Sequence, residues 1–563
     1  MISPEKPEFI TINLDGNEVE VPGGINAIEA AALHGKEIPH YCYHSHLSVA
    51  GNCRMCLIEM GTPMRDRSTG DAILEKDGSP KIGWVPKPVI GCATNVSPGM
   101  HLRTDSEKVK GCQEGIMEFL LVNHPLDCPI CDQAGECRLQ EFATDYGRGY
   151  SRFVERKNVK PKRTRLGPRV TLDDERCILC SRCIRFSQEV AKDDVLGFVD
   201  RGSFSTLTCF PGKELANNYS LNTVDICPVG ALTSTDFRFK MRVWFLKETP
   251  SICSESSAGC NTLVSSREGV IHRITPRRND LVNDTWMTDS GRVLYKSVKS
   301  KDRLLYPTIN GERVTSSEAI ERAAEILKNK KMGIVTSARS TVEELFLIKK
   351  LVDSTGAKVY LRGHFGEDDG ILLSSDRTPN LRGVLATELI DQYPSDHLKS
   401  LGVAIDQGDV DALLVFSEDL KESGLNESQM DLPIVFLGTH KNSSVKSANV
   451  VLPSLTVFEK SGSFINRSFI LQSFRQAVPG PAGVLADTQL IAELNKCLTG
   501  GEKPNTVPSD LWAAIAGESH PVFSGITYQE LLKHSIQLDG SSWDEIPFVE
   551  QPALHYKLVK NSA

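Results

Sequence analysis

Twelve residues in the first 230 positions fall into three groups of four, each with the composition and spacing of a metal-ligand set. They read Cys42-x(10)-Cys53-x(2)-Cys56-x(35)-Cys92, then His124-x(3)-Cys128-x(2)-Cys131-x(5)-Cys137, then Cys177-x(2)-Cys180-x(2)-Cys183-x(43)-Cys227-Pro228. Thiolate is the soft ligand that iron–sulfur clusters require. Three such sets in succession oblige the chain to fold around buried metal and point to a relay of electrons.

At 563 residues the chain has room for roughly three or four domains, and 40% apolar with 24% charged residues is an ordinary globular balance. A net charge of -8 argues against nucleic acid as the main partner. No apolar run approaches the ~20 residues of a membrane span, and MISPEKPEFI lacks the charged start and apolar core of a signal peptide. The expected location is therefore the cytoplasm, with no direct membrane span. Sixteen cysteines would suggest disulfides in a small secreted protein, but here most sit in C-x(2)-C pairs on a long chain without an export signal. Eleven belong to the three sets, which leaves Cys112, Cys209, Cys253, Cys260 and Cys497 as ordinary buried thiols or remnants of a lost site.

Phe9 to Val21 alternates Ile10, Ile12, Leu14 with Val19 and Val21 around Asp15-Gly16, the signature of a hairpin. Asn26 is placed to cap a helix through Ala27–Leu33, with Glu29 in the capping-box position. The ligand loop PHYCYHSHLSVAGNCRMCLIEM follows, with Ala50 and Gly51 small enough for backbone amides to approach sulfur. Hairpin, helix and cysteine loop resemble a plant-type 2Fe-2S ferredoxin of β-grasp fold. Six more residues separate the first two ligands than in the plant-type pattern, making the segment more similar to the ferredoxin-like head of respiratory NADH dehydrogenases. Zinc is the competing occupant, but structural zinc sites pair short cysteine knuckles on both sides. Gly61 to Pro88, rich in turn residues, reads as a surface loop.

In HPLDCPICDQAGECRLQEF three cysteines need a fourth ligand, and two candidates lie upstream, His124 and Cys112. The spacing favours His124, because Cys112 falls on a helix marked by Glu114, Ile116, Met117, Phe119 and Leu120. HPLDCPICDQAGEC is similar to the histidine-and-three-cysteine 4Fe-4S site of the large iron–sulfur subunit family of proton-pumping NADH:quinone oxidoreductase, respiratory complex I. Related segments occur in iron-only hydrogenases and in NAD-linked formate dehydrogenases and hydrogenases.

CILCSRCIRF followed by DICPVGALT carries a 4Fe-4S signature whose fourth cysteine is remote and precedes proline, and Gly230 permits close backbone approach. The basic run Arg156, Lys157, Lys160, Lys162, Arg163, Arg165, Arg169 reads as a solvated linker or as a contact for an acidic partner. Further on, Cys253-x(2)-Ser256-x(3)-Cys260-x(27)-Thr288 resembles a fourth cluster site of some relatives with two ligands replaced by neutral hydroxyls, which are poor substitutes on iron. From about residue 302, Met332–Ser337, Val359–Arg362, Ala412–Phe416 and Ile434–Leu437 read as buried strands, with helices at Ser317–Lys328 and Val342–Val352, an α/β domain with a largely parallel sheet. VVLPSLTVFEKSGSFINRS, residues 450 to 468, resembles a segment of molybdopterin oxidoreductase domains.

The resemblance implies a multidomain α+β and α/β chain: a 2Fe-2S ferredoxin-like domain at 1–104, a 4Fe-4S domain with one histidine and three cysteine ligands at 105–150, a 4Fe-4S ferredoxin-like domain at 151–245, a vestigial 4Fe-4S domain at 246–301, and a molybdopterin-oxidoreductase-like domain without cofactor at 302–563. The expected cofactors are one 2Fe-2S and two 4Fe-4S clusters, with no fourth cluster and no molybdenum, since the only cysteine after Cys260 is Cys497 and the chain ends soon after residue 500. No dinucleotide fingerprint is present, so NADH and flavin are expected on a partner subunit, with quinone-module subunits beyond. The implied place is peripheral, on the cytoplasmic face of the inner membrane. A self-contained hydrogenase or formate dehydrogenase is the alternative.

Overall fold

The computed structural model describes residues 8–66, 68–390, 393, 397–550 and 554; most of the N-terminal segment inspected for a leader lies outside these. The chain divides into two compact units, up to Trp244 and from Phe245 onward.

In the first unit, β1 (Phe9–Leu14) and β2 (Asn17–Pro22) form the expected hairpin. Asp15 and Gly16 both take positive φ, 52° and 89°, the pair of left-handed conformations that a two-residue turn matching strand twist requires. α1 (Ala27–Leu33) buries Ala27, Ile28, Ala30 and Ala31, and the Asn26 side chain accepts from the amides of Ile28 and Glu29. Glu29 does not close the expected capping box. Its carboxylate accepts from the Tyr43 hydroxyl at 2.6 Å, and Asn26 Nδ2 donates to that hydroxyl at 2.9 Å, so both polar groups anchor the ligand loop to the helix start.

The sheet continues through β3 (Leu57–Pro63), β4 (Ile82–Trp84), β5 (Val89–Ile90) and β6 (His101–Arg103) in the order β2-β1-β6-β3-β4, with β5 also on β3. β1 and β6 run parallel and the other pairs antiparallel, the mixed sheet of a β-grasp fold. The stretch Gly61 to Pro88 is thus not simply a loop. β3 extends through Gly61–Pro63 to pair with β4, and bridges Arg65 to Ala72 and Leu74 to Pro80 fold the excursion on itself. Turn residues mark its corners, whereas the short strands between them carry no sequence signal of their own.

α2 (Glu107–Val122) and α3 (Arg138–Asp145) flank the second ligand loop, and α4 (Arg182–Glu189) begins inside the third. A three-stranded sheet with Val170–Leu172 at its centre, between Thr164–Arg165 and Leu232–Ser234, backs that third loop. The basic run is neither a free linker nor wholly open to a partner. Lys157 donates to the carbonyls of Leu121 and Val122 at the end of α2, and Lys162 meets Asp127 and Glu175 at 2.6 Å each.

The second unit opens with an antiparallel sheet of Lys247–Ile252, Asn261–Arg267 and Val270–Pro276. Its body is a doubly wound α/β layer. β7 (Met332–Ser337), β8 (Lys358–Arg362), β9 (Ala412–Phe416), β10 (Ile434–Gly438) and β11 (Val450–Pro453) are parallel, in the order β11-β10-β9-β7-β8, with Thr308–Ile309 antiparallel at the β11 edge. Every residue of β7, β9, β10 and β11 is buried, which explains why they read as mostly apolar segments rather than alternating ones. α5 (Ser316–Leu327) and α6 (Val342–Thr355) start at capping boxes built on Thr315 with Glu318 and Thr341 with Glu344. α7 (Asp487–Thr499) completes the cover and carries Cys497, half-buried against the core.

Candidate metal centres

The first ligand loop brings Cys42, Cys53, Cys56 and Cys92 together. The thiol of Cys42 faces those of Cys53 and Cys92, and Cys92 also faces Cys56. Gly51 and Arg54 both adopt φ of 61°, and the Cys42 amide lies 3.5 Å from Cys53 Sγ. A left-handed arginine is strained, and the strain turns backbone amides toward sulfur, as a cluster-binding loop requires.

The third set is equally convergent. Cys177, Cys180, Cys183 and Cys227 line one small cavity whose remaining walls include Ile178, Phe198, Leu207, Val229 and Leu232. Leu179 and Ser181, on either side of Cys180, take φ of 54° and 61°, and the Leu179 amide donates to Cys177 Sγ at 3.4 Å. Burial raises the pKa of all four thiols, that of Cys227 to about 11, so iron binding must displace their protons.

In the second set Cys128, Cys131 and Cys137 sit within electrostatic reach of one another, Cys128 exposed and Cys131 buried. Cys131 is seated against Gly230, where a Cβ would overlap its sulfur, and Cys137 Sγ lies 3.9 Å from the Pro228 carbonyl. Arg242 donates to the carbonyl of Cys131 at 2.5 Å and to that of Pro129. His124 is half-buried beside Arg176, a residue that also faces Cys131, and burial foremost lowers its pKa to about 4. The imidazole is therefore neutral, its ligating form. Cys112 lies on α2, half-exposed.

Spacing rules say nothing of the residues that surround these sulfurs. Tyr41 is fully buried between the first two sets, facing Cys137 and Cys53, with its hydroxyl on Met117 Sδ at 3.3 Å and its ring edge-on to Phe142. Arg182 and Arg185 are likewise absent from any ligand pattern, although they stand in the motif itself, CSRCIRF.

The Cys253/Cys260 region departs from a ligand set. The Thr288 hydroxyl donates to Glu255 at 2.5 Å and caps the short helix Asp289–Arg292 by accepting from the Gly291 amide. Ser256 Oγ donates to the Leu372 carbonyl at 3.2 Å and accepts from Ser374 N. At the carboxyl ends of β7, β9, β10 and β11 lies an open cleft of about 760 Å³. Its lining includes Ser337, Arg339, Ser417 and Lys441 and, among the described residues, no cysteine. There Lys460 pairs with Glu344 at 2.5 Å and Asp487 at 3.2 Å.

Fold and sites together define a multidomain iron–sulfur protein with a molybdopterin-oxidoreductase-type α/β domain, and family models divide the chain accordingly. Residues 8–107 match the 2Fe-2S iron-sulfur cluster binding domain, 113–152 the NADH-ubiquinone oxidoreductase-G iron-sulfur binding region, and 167–233 the ferredoxin-like domain of NADH-quinone oxidoreductase subunit 3. Residues 246–296 match the NDSU1/NuoG-like 4Fe-4S domain of NADH-ubiquinone oxidoreductase, and 383–497 the molybdopterin oxidoreductase family. The chain resembles the large iron–sulfur subunit of NADH:quinone oxidoreductase. It is 42% identical over 365 residues to the G subunit of NADH-quinone oxidoreductase from Rickettsia conorii, covering 63% of this chain and 51% of that one. It is 39% identical to the mitochondrial NADH dehydrogenase [ubiquinone] iron-sulfur protein 1 of Solanum tuberosum (63% and 46% covered) and 40% identical to the NADH-ubiquinone oxidoreductase 75 kDa subunit of Reclinomonas americana (63% and 49%). The chain thus spans about half the length of the curated relatives it matches.

The packing of Gly230 generates a prediction. In Gly230→Ala the added methyl would meet the Cys131 sulfur, so the capacity of the second set to hold iron should be lost or weakened while that of the third set is unaffected. Iron content and paramagnetic resonance of parent and variant measure this, and identical iron content and signals in the two would show that the contact is slack.

Proposed function

We propose that this chain serves as the large iron–sulfur subunit of an NADH:quinone oxidoreductase, passing electrons from the flavin of a partner subunit towards quinone within an assembly that translocates protons. The observation that carries the reading is the gathering of three ligand sets in one compact unit, supported by the identity with chains named as subunits of that enzyme. Cys42, Cys53, Cys56 and Cys92 hold a 2Fe-2S cluster, and two 4Fe-4S clusters are held by His124, Cys128, Cys131 and Cys137 and by Cys177, Cys180, Cys183 and Cys227. When bound, these clusters supply one-electron chemistry. The chain supplies the thiolates and the imidazole, the amides aimed at sulfur, and apolar walls that exclude water.

Boundaries near 104, 150, 245 and 301 separate the domains in this reading. The fourth site holds no cluster, because the hydroxyls of Thr288 and Ser256 are engaged in hydrogen bonds within the protein. The terminal domain acts without molybdenum, in keeping with the ion network of Glu344, Lys460 and Asp487 in its cleft. The partners are a flavin- and NADH-binding subunit, other peripheral-arm subunits and the quinone module. The place is peripheral on the cytoplasmic membrane face; no helix among the described residues is long and apolar enough to cross a membrane.

The deciding experiment is Cys180→Ser in the assembled complex. NADH oxidation by an artificial acceptor should persist while electron delivery to quinone is abolished; survival of both activities would remove the third cluster from the path. The isolated chain should oxidise neither NADH, hydrogen nor formate.

Inventory provides a second check. Anaerobically prepared chain should carry about ten iron atoms and no molybdenum, whereas about fourteen iron atoms would mean an occupied fourth site. His124→Ala should destabilise the second cluster and Cys112→Ala should leave it in place. Nitrogen coupling to that cluster in pulsed paramagnetic resonance is expected in the parent, and an intact second cluster without it would transfer the assignment away from His124.

A further inference from the structure

Two arginines occupy the ground between the first and third ligand sets. Arg182 and Arg185, three apart on α4, present their guanidinium groups on one side of the helix. Arg185 is 8% exposed; its Nη2 donates to the carbonyl of Cys42 at 2.5 Å and to that of Cys180 at 3.4 Å, its Nη1 to the carbonyl of Ser48, and its Nε to Ser181 Oγ at 3.2 Å. Arg182 Nη2 donates to the Tyr43 carbonyl and Nη1 to the carbonyl of Ile226, the residue before Cys227, at 3.2 Å. Its Nε is buried with no hydrogen-bond partner among the described residues. Arg185 therefore joins the main chain of a first-set ligand to that of a third-set ligand, and Arg182 joins the residues adjacent to one ligand of each set.

Neither arginine has a counter-charge among the described carboxylates. Glu189, on the same helix, is engaged with the amide of Ser48 at 2.8 Å and with its hydroxyl. The contrast with Arg176, near the second set, is direct: that guanidinium meets Asp127 at 3.2 Å and Asp173 at 3.3 Å. Carbonyl dipoles solvate a buried cation but do not neutralise it, and a buried charge lacking an opposite one is costly. The neighbouring groups that can carry negative charge are ligand sulfurs. Cys180 faces both guanidiniums, and Arg182 also faces Cys42 and Cys227. An iron–sulfur cluster on four thiolates is a net anion, and reduction makes it more negative.

We propose that Arg182 and Arg185 are positioning residues that form a shared cationic clamp on the first and third clusters, raising the reduction potentials of both above what their ligands alone would give. The clamp rests on the cluster occupancy proposed above, and it deepens that reading by assigning the tuning to named side chains. Because the same two charges act on both clusters, they move the two potentials together and alter the difference between them less than either value. The clamp also fixes the two ligand loops to one helix, which makes their separation a property of α4.

The test is a redox titration, followed by paramagnetic resonance, of the full iron-loaded chain in three forms: the parent, Arg185→Gln and Arg185→Lys. In the glutamine variant the first and third clusters should titrate at lower potential than in the parent, while the second stays where it was. Lysine, which keeps the charge but loses the fork, should restore most of the shift. Unmoved first and third potentials in the glutamine variant with iron retained, or an equal fall in the second, would overturn the clamp. Should Arg185→Gln fail to accumulate, Arg182→Gln takes its place with the same two outcomes. Absence of the first and third signals from the parent would instead refute the cluster reading, and the clamp with it.

Discussion

The first unit depends on a close approach between a glycine and a sulfur. Cys227, Pro228, Val229 and Gly230 form one short segment that ends the third ligand set and walls the second: Cys227 lines the cavity of the third, the Pro228 carbonyl faces Cys137, and Gly230 lies against Cys131. A residue without Cβ suits that wall, and Pro228, with its ring-restrained φ, leads the chain from one set to the other. Segments remote in sequence are thereby held against each other. The proximity of the second and third sets is a packing constraint, independent of whether iron is bound.

A second constraint follows from the way the loops treat their own backbone. Left-handed residues at Arg54, Leu179 and Ser181 turn amides inward to sulfur, and the carbonyls of the same loops must then be satisfied from outside. Arginine does this repeatedly. Arg185 takes the carbonyls of Cys42, Ser48 and Cys180, Arg182 those of Tyr43 and Ile226, and Arg242 those of Pro129 and Cys131. Five donors in a rigid fork suit several carbonyls at once, where lysine offers a single point of charge. The consequence is electrostatic as well as geometric, since Arg182 and Arg185 place fixed positive charge near the Cys180 sulfur, and Arg182 also near those of Cys42 and Cys227.

What is legible in the residues taken in order is what local spacing controls. The Asp15-Gly16 hairpin, the helix behind Asn26 and the strands Met332–Ser337 and Ala412–Phe416 lie where periodicity and turn chemistry put them. Glu29 departs from its capping-box expectation because its partner, Tyr43, is fourteen positions away on a loop whose path no spacing rule gives. The excursion after β3 reads as a loop because its paired segments are two or three residues long, too short for an alternating pattern to register. The lysines at 157, 160 and 162 have the texture of a solvated charge run, yet their partners are the end of α2, Asp127, Asp174, Glu175 and the Ser205 carbonyl, contacts of tertiary origin. The arginines of CSRCIRF are hidden for the opposite reason, standing so close to the ligands that the cysteine spacing accounts for the whole motif without them.

In the second unit the positions that a fourth four-thiolate site would need are engaged in other bonds. Cys253 and Cys260 are both buried, and a Cβ at Gly291 would meet the Cys253 sulfur and the Thr288 hydroxyl alike. Thr288 serves the helix that follows, and Glu255 accepts its hydroxyl proton, placing a carboxylate next to the sulfur. A carboxylate in that position disfavours a second anion, because burial already penalises the thiolate of Cys253 and the negative neighbour adds to the penalty. Cysteine at 256 and 288 would therefore not suffice to make a four-thiolate site. The bonds of residue 256 to Leu372 and Ser374 would be given up, and Glu255 would have to turn away or be neutralised, so three interactions, and not only two side-chain identities, stand against a four-thiolate site here.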